Sequence, residues 1–101
     1  MAVIEATKDN FGELVQKGKV LVKFYADWCG PCQMMKPIVE ELAEKHEEIK
    51  VLEINIDDED ELAEKYRVET IPCLVLLEDG KEIAREVGVM PLKKLEKLIE
   101  K

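Results

Sequence analysis

The sequence is short of several things at once. Its 101 residues include two Phe, two Tyr and one Trp, so any core must be mostly aliphatic. A hydrophobic content of 47% is ample for one core without disulfide support. No apolar run approaches the roughly 20 residues of a membrane span, and no membrane association is expected. No basic run offsets the net charge of -8, which argues against nucleic acid as a partner. No linker, repeat or low-complexity stretch divides the chain, so residues 1–101 read as one domain. Three cysteines is an odd number, and a structural disulfide framework is not expected. Met1-Ala2-Val3-Ile4-Glu5-Ala6 lacks a basic segment followed by a long apolar one. It reads as no signal peptide, and with the odd cysteine count a reducing, cytoplasmic setting is the expectation. There a Cys-x-x-Cys pair is catalytic or metal-binding.

What is present is an alternation of strand and helix signals. Val3 to Ala6 suits a short first strand. Thr7 is placed to cap a helix over about Lys8 to Gln16, which Gly18 ends. Val20 to Ala26 is β-branched and aromatic with one charge, Lys23, and reads as a central strand. A helix from about Pro31 to His46 carries Met35, Ile38, Val39, Leu42 and His46 on one stripe, and Pro37 should kink it. Lys50 to Ile56 reads as a second buried strand. The acidic run Asp57 to Glu61 suits the start of a helix that Leu62, Ala63 and Tyr66 continue. Cys73 to Leu77 is a third apolar run, and Asp79-Gly80 turns it into Lys81 to Val87. Pro91 fits the first position of a final amphipathic helix through Leu92, Leu95, Leu98 and Ile99. The order βαβαβαββα predicts an α/β fold. Its mixed sheet has about five strands, a parallel central section, an antiparallel edge and helices on both faces.

The chemistry is concentrated in Trp28-Cys29-Gly30-Pro31-Cys32. Two thiols two residues apart can close and reopen a small disulfide ring. Cys29 falls in the turn before a helix, where unpaired N–H groups stabilise a thiolate. Cys32, one turn further on and more buried, is poised to attack a mixed disulfide and release the reduced substrate. Gly30 and Pro31 shape the turn. A zinc site of Cys29, Cys32, Cys73 and His46 is the nominal rival. Helical rise puts His46 roughly 20 Å from Cys32, which disfavours it.

The chain resembles the thioredoxin family over essentially its whole length. The resemblance rests on Phe24 to Cys32, Pro37, Asn55-Ile56-Asp57, Thr70-Ile71-Pro72, Asp79-Gly80 and Val87-Gly88. It implies the thioredoxin-like fold with four helices, and protein-disulfide reductase and electron-carrier activity through the redox-active disulfide Cys29–Cys32. It implies no further cofactor and no metal. The implied partners are disulfide-containing proteins and a separate thioredoxin reductase, linked to NADPH or ferredoxin, with the chain a monomer. Pro72 would be a cis-proline facing the sulfurs. Ile71 would offer backbone hydrogen bonds to an extended substrate. Trp28, Gly30, Pro31, Ile71, Pro72, Gly88 and Val89 would form an apolar docking surface, with Gly88 leaving room for the substrate chain.

Lys23, Glu53 and Cys73 depart from that family's usual residues. Lys23 stands where similar proteins carry a buried Asp, and Glu53 where they often carry Lys. Both lie inside strands read as buried, and an isolated buried charge is costly, so an inverted pair is expected. Two readings then follow for Cys32: Glu53 takes over its proton transfer, directly or through water, or the chain manages with a slower transfer. Cys73 follows Pro72, where Thr is usual, and reads first as a small buried strand residue, with the alternative of a third sulfur near Cys29 and Cys32 that tunes the site or can be modified. Other functions considered are an oxidase or isomerase, a chaperone-like binding module, and an iron–sulfur cluster bridged between two chains. The Gly-Pro between the cysteines favours a reductase.

Overall fold

The computed structural model describes residues 3–101. Met1 and Ala2, part of the segment read for a leader, lie outside the described residues. The elements are β1 (Val3–Glu5), α1 (Phe11–Leu14), β2 (Lys19–Tyr25), α2 (Gly30–Lys45) and β3 (Lys50–Asn55). They continue with α3 (Asp60–Lys65), β4 (Cys73–Glu78), β5 (Lys81–Val87) and α4 (Leu92–Ile99). This is the βαβαβαββα order that the sequence predicts.

The sheet runs β1-β3-β2-β4-β5. β1 and β2 lie parallel to β3, while β4 pairs antiparallel with both β2 and β5. β2 is therefore hydrogen-bonded on both sides, which suits its run of Val20, Leu21, Val22 and Phe24. The Asp79-Gly80 turn has both residues at positive φ, 51° and 86°, the geometry that a two-residue hairpin needs. Asp79 Oδ1 also accepts from the Gly18 N–H at 2.8 Å, tying the hairpin to the loop before β2.

Each face of the sheet has its own core. Leu21, Leu74 and Leu76 meet Met35, Val39 and Leu42 of α2 and Leu95 and Leu98 of α4. On the other face Val20, Val22, Phe24, Val75 and Leu77 meet Phe11 of α1 and Leu62 of α3, with Tyr66 packed against them. α2 runs through Pro37, which is exposed, so the Gln33 carbonyl left without its helical donor is on the solvent side.

α1, α3 and α4 each start later than the sequence predicts. α1 is one turn, not nine residues. Asn10 Oδ1 accepts from the Thr7 N–H at 2.7 Å and Thr7 Oγ1 from the Asp9 N–H at 3.3 Å, so these side chains hold a turn where a helix was expected. α3 starts at Asp60, because Asn55 draws in the N–H groups of Asp57, Asp58 and Glu59, and Tyr66 falls just past its end. Pro91 is extended, with ψ 164°, and precedes α4 instead of opening it.

At the far end of α2, His46 links helix to helix. Its Nε2 lies 2.9 Å from Glu96 Oε2 and its Nδ1 3.3 Å from Glu48 Oε2. The Glu96 bond is the main reason that the His46 imidazole titrates above its ordinary value of 6.5. A group with a raised folded pKa contributes stability fully below its unfolded pKa and loses it as pH rises through the folded one. His46→Gln should therefore lower the urea midpoint at pH 5.5 and have a smaller effect at pH 9. Leu95→Ala, at a fully buried position, should cost about 2–5 kcal/mol in the same assay at either pH.

Candidate active site

The site forms where β2 ends. Ala26 is buried, Asp27 and Trp28 are exposed, and Cys29 is the N-cap of α2. Its side chain accepts the Cys32 N–H at 3.2 Å, so one of the orphan donors of the helix start is directed at Cys29 Sγ. Cys29 and Cys32 are joined as a disulfide, with Cα atoms 5.3 Å apart. Cys29 is 5% exposed and Cys32 1%. Both pack against Ala26, Tyr25, Ile56 and Ile71. Gly30 and Pro31, in the first turn of α2, are exposed.

The segment before β4 faces this disulfide. The Ile71-Pro72 bond is cis, and the Ile71 carbonyl lies 3.9 Å from Cys29 Sγ. Among the described residues, neither the N–H nor the carbonyl of Ile71 pairs with another backbone group. Pro72 is buried and its carbonyl accepts from the Gly88 N–H at 2.9 Å. Gly88 has φ +98°, a conformation that side-chain-bearing residues rarely adopt, and a Cβ there would meet open space. Trp28 is 70% exposed, held by its Nε1 donating to Asp57 Oδ2 at 2.9 Å. Val89 is exposed as well.

Beneath Cys32 lies the inverted charge pair. Lys23 and Glu53 are register partners in the parallel strands β2 and β3, which puts both side chains on one face. Lys23 is 2% exposed and Glu53 17%, with Lys23 Nζ 3.7 Å from Glu53 Oε2. Lys23 Nζ also donates to the Cys32 carbonyl at 3.2 Å and stands 5.5 Å from the centre of the Tyr25 ring. Burial pushes the Lys23 ammonium below its ordinary range, and Glu53 opposes that shift. A polar cavity of about 60 Å³ adjoins the pair, lined by Lys23, Tyr25, Asp27, Cys32, Lys36 and Glu53 among others. It is large enough for at least one water.

Cys73 does not join this group. Its side chain enters the opposite core with Phe24 and Val75. Burial pushes its thiol up, while the Arg85 guanidinium, with Nη1 3.8 Å from Sγ, opposes the shift. His46 is engaged with Glu48 and Glu96 at the other end of α2. The zinc set considered from sequence is therefore not assembled. Among the described residues no group of three or more His, Cys, Asp or Glu could hold a metal ion.

Several features were missed from sequence. Asp57 anchors Trp28, a contact that its reading as part of an acidic helix start does not reveal. Met34 and Val87 are large exposed apolar side chains that the sequence reading assigns to no surface. Met34 was legible, being off the buried stripe of α2; Val87 was not, because its run holds apolar residues in both alternating positions.

The thioredoxin family model matches residues 2–101. Thioredoxin from Chlamydia trachomatis is 42% identical over 95 residues, covering 94% of this chain and 93% of that protein. Thioredoxin from Bacillus subtilis is 40% identical over 102 residues, covering 100% and 98%. A mutant thioredoxin from Halobacterium salinarum superposes with a TM-score of 0.91 at 38% identity, covering 97% of this chain and 88% of that one. With the sheet order, the helix-capping Cys29 and the Cys29–Cys32 disulfide already in place, these similarities make the chain a member of the thioredoxin family, the thiol-disulfide oxidoreductases.

Proposed function

We propose that the chain works as a cytoplasmic monomer that reduces protein disulfides and is recharged by a separate reductase linked to NADPH or ferredoxin. The observation that carries this reading is the placement of Cys29 Sγ. It caps α2, is paired with Cys32, and faces the Ile71 carbonyl. Both sulfurs come from one chain, so a single copy suffices for the cycle. No helix among the described residues is long and apolar enough to cross a membrane.

The cycle starts from the dithiol. Cys29, its thiolate favoured by the helix start, attacks one sulfur of a substrate disulfide. A bond forms between Cys29 and that sulfur, and the other substrate sulfur leaves as a thiolate that takes up a proton. Cys32 then attacks Cys29 Sγ, the Cys29–substrate bond breaks, and the second substrate thiolate leaves. Two electrons have passed to the substrate, and the Cys29–Cys32 disulfide remains to be reduced by the reductase. No cofactor beyond this disulfide and no metal takes part. Trp28, Gly30, Pro31, Ile71, Pro72, Gly88 and Val89 line the docking surface. An extended substrate segment pairs with the free backbone groups of Ile71 and passes over Gly88.

Cys32→Ser, mixed with a disulfide-bearing protein, should accumulate a covalent one-to-one adduct through Cys29, seen by mass spectrometry and released by a small thiol. Cys29→Ser should form none above background. An adduct at wild-type rate on Cys29→Ser, carried by Cys32, would reverse the two roles.

A further inference from the structure

The cycle has one step whose chemistry the chain's most unusual residue touches. Cys32 must become a thiolate to resolve the mixed disulfide, and it is nearly sealed from solvent. Desolvation disfavours a thiolate. The nearest buried charge is a cation, Lys23, bonded to the carbonyl of Cys32 itself. We infer that Lys23 is a positioning and electrostatic residue of the resolving step, whose buried ammonium stabilises the Cys32 thiolate.

The geometry supports this in three ways. Lys23 cannot leave, because its ammonium is fixed by the Cys32 carbonyl on one side and Glu53 on the other. A cation bonded to the Cys32 carbonyl and lining the same poorly solvated cavity favours the ionised form of that residue's sulfur. The cavity that Cys32, Lys23 and Glu53 share gives the departing proton a route to water. Glu53 then serves to keep Lys23 charged against burial, which pulls its pKa down. The other titratable groups facing this place are Tyr25 on β2, Asp27 in the turn, and Lys36 and Glu40 on α2. Glu5 of β1 stands behind them, bonded to the Tyr25 hydroxyl at 3.1 Å. Lys36 and Glu40 oppose one another, so Lys23 is the charge that is both buried and bonded at Cys32.

Cys32 Sγ–H gives its proton to water in the cavity, and the resulting thiolate attacks Cys29 Sγ. The Cys29–substrate sulfur bond breaks as the Cys29–Cys32 bond forms, and the substrate leaves as a thiolate. No other oxidant or reductant is needed.

The inference rests on the exchange reading, and the test separates the two. A mixed disulfide between Cys29 and a chromogenic aryl thiol is formed, and release of the aryl thiolate is followed from pH 5 to 10. If wild-type protein releases none, the exchange reading itself fails. If it does, the midpoint of the pH profile reports Cys32. Lys23→Met should move that midpoint to higher pH by about one unit or more. At pH 7 release should slow by roughly tenfold, with the rate at high pH largely retained. Should that variant not fold, comparing Glu53→Gln with Lys23→Met/Glu53→Gln isolates Lys23, and the same alkaline displacement is expected between them. A uniform loss at every pH with an unmoved midpoint would make Lys23 merely structural. A midpoint that moves only when Glu53 is changed would give the role to Glu53. Either result overturns the inference.

Discussion

A charge buried in the central strand is the constraint that organises the active end of this molecule. Lys23 lies on β2, hydrogen-bonded to neighbours on both sides and enclosed between α2 and the sheet. The effective penalty for taking an ion out of water there is several kcal/mol, so an unpartnered ammonium would not persist. The structure answers with partners from three directions: Glu53 on β3, the Cys32 carbonyl on α2, and the face of the Tyr25 ring. The register of two parallel strands puts Lys23 and Glu53 side by side. The start of α2 is held at the same point, which fixes where Cys29 and Cys32 lie relative to the sheet.

From that point the reactive geometry follows. β2 ends, the chain turns through Asp27 and Trp28, and α2 begins with a sulfur at its N-cap. The hairpin edge contributes the opposing wall. β4 starts immediately after Pro72, and Gly88, just past β5, donates its N–H to the Pro72 carbonyl. The sulfurs thus sit between a helix start that favours negative charge and a backbone segment whose groups are free to pair with a visiting chain.

Most of this was legible because the signals were local. Helical stripes, the Asp79-Gly80 turn and the Cys-x-x-Cys spacing each use only a few neighbouring residues. The pairing of Lys23 with Glu53 was legible too, since each interrupts an otherwise apolar strand. What was not legible depends on side chains reaching across space. Asn10 turning back on Thr7 shortens α1, a competition that propensity does not resolve. The direction of Cys73 was hidden because β4 is apolar at every position from Cys73 to Leu77, so alternation names no face. Its neighbour Arg85, bonded also to the Tyr66 carbonyl at 2.6 Å, sits beyond an irregularity in the β4–β5 register that leaves Ile83 unpaired.

The chemistry these parts support is a two-electron shuttle between a dithiol and a disulfide, with one sulfur at the helix N-cap facing the Ile71 carbonyl and its partner's residue bonded to a buried cation. The direct measurement of that claim is reduction of insulin disulfides by the pre-reduced protein, counted against the loss of its own Cys29 and Cys32 thiols. One insulin disulfide should be reduced for each Cys29–Cys32 disulfide formed, with Cys73 still a free thiol at the end. Insulin reduction no faster than with a small dithiol alone, or reduction accompanied by oxidation of Cys73 in place of Cys32, would contradict it.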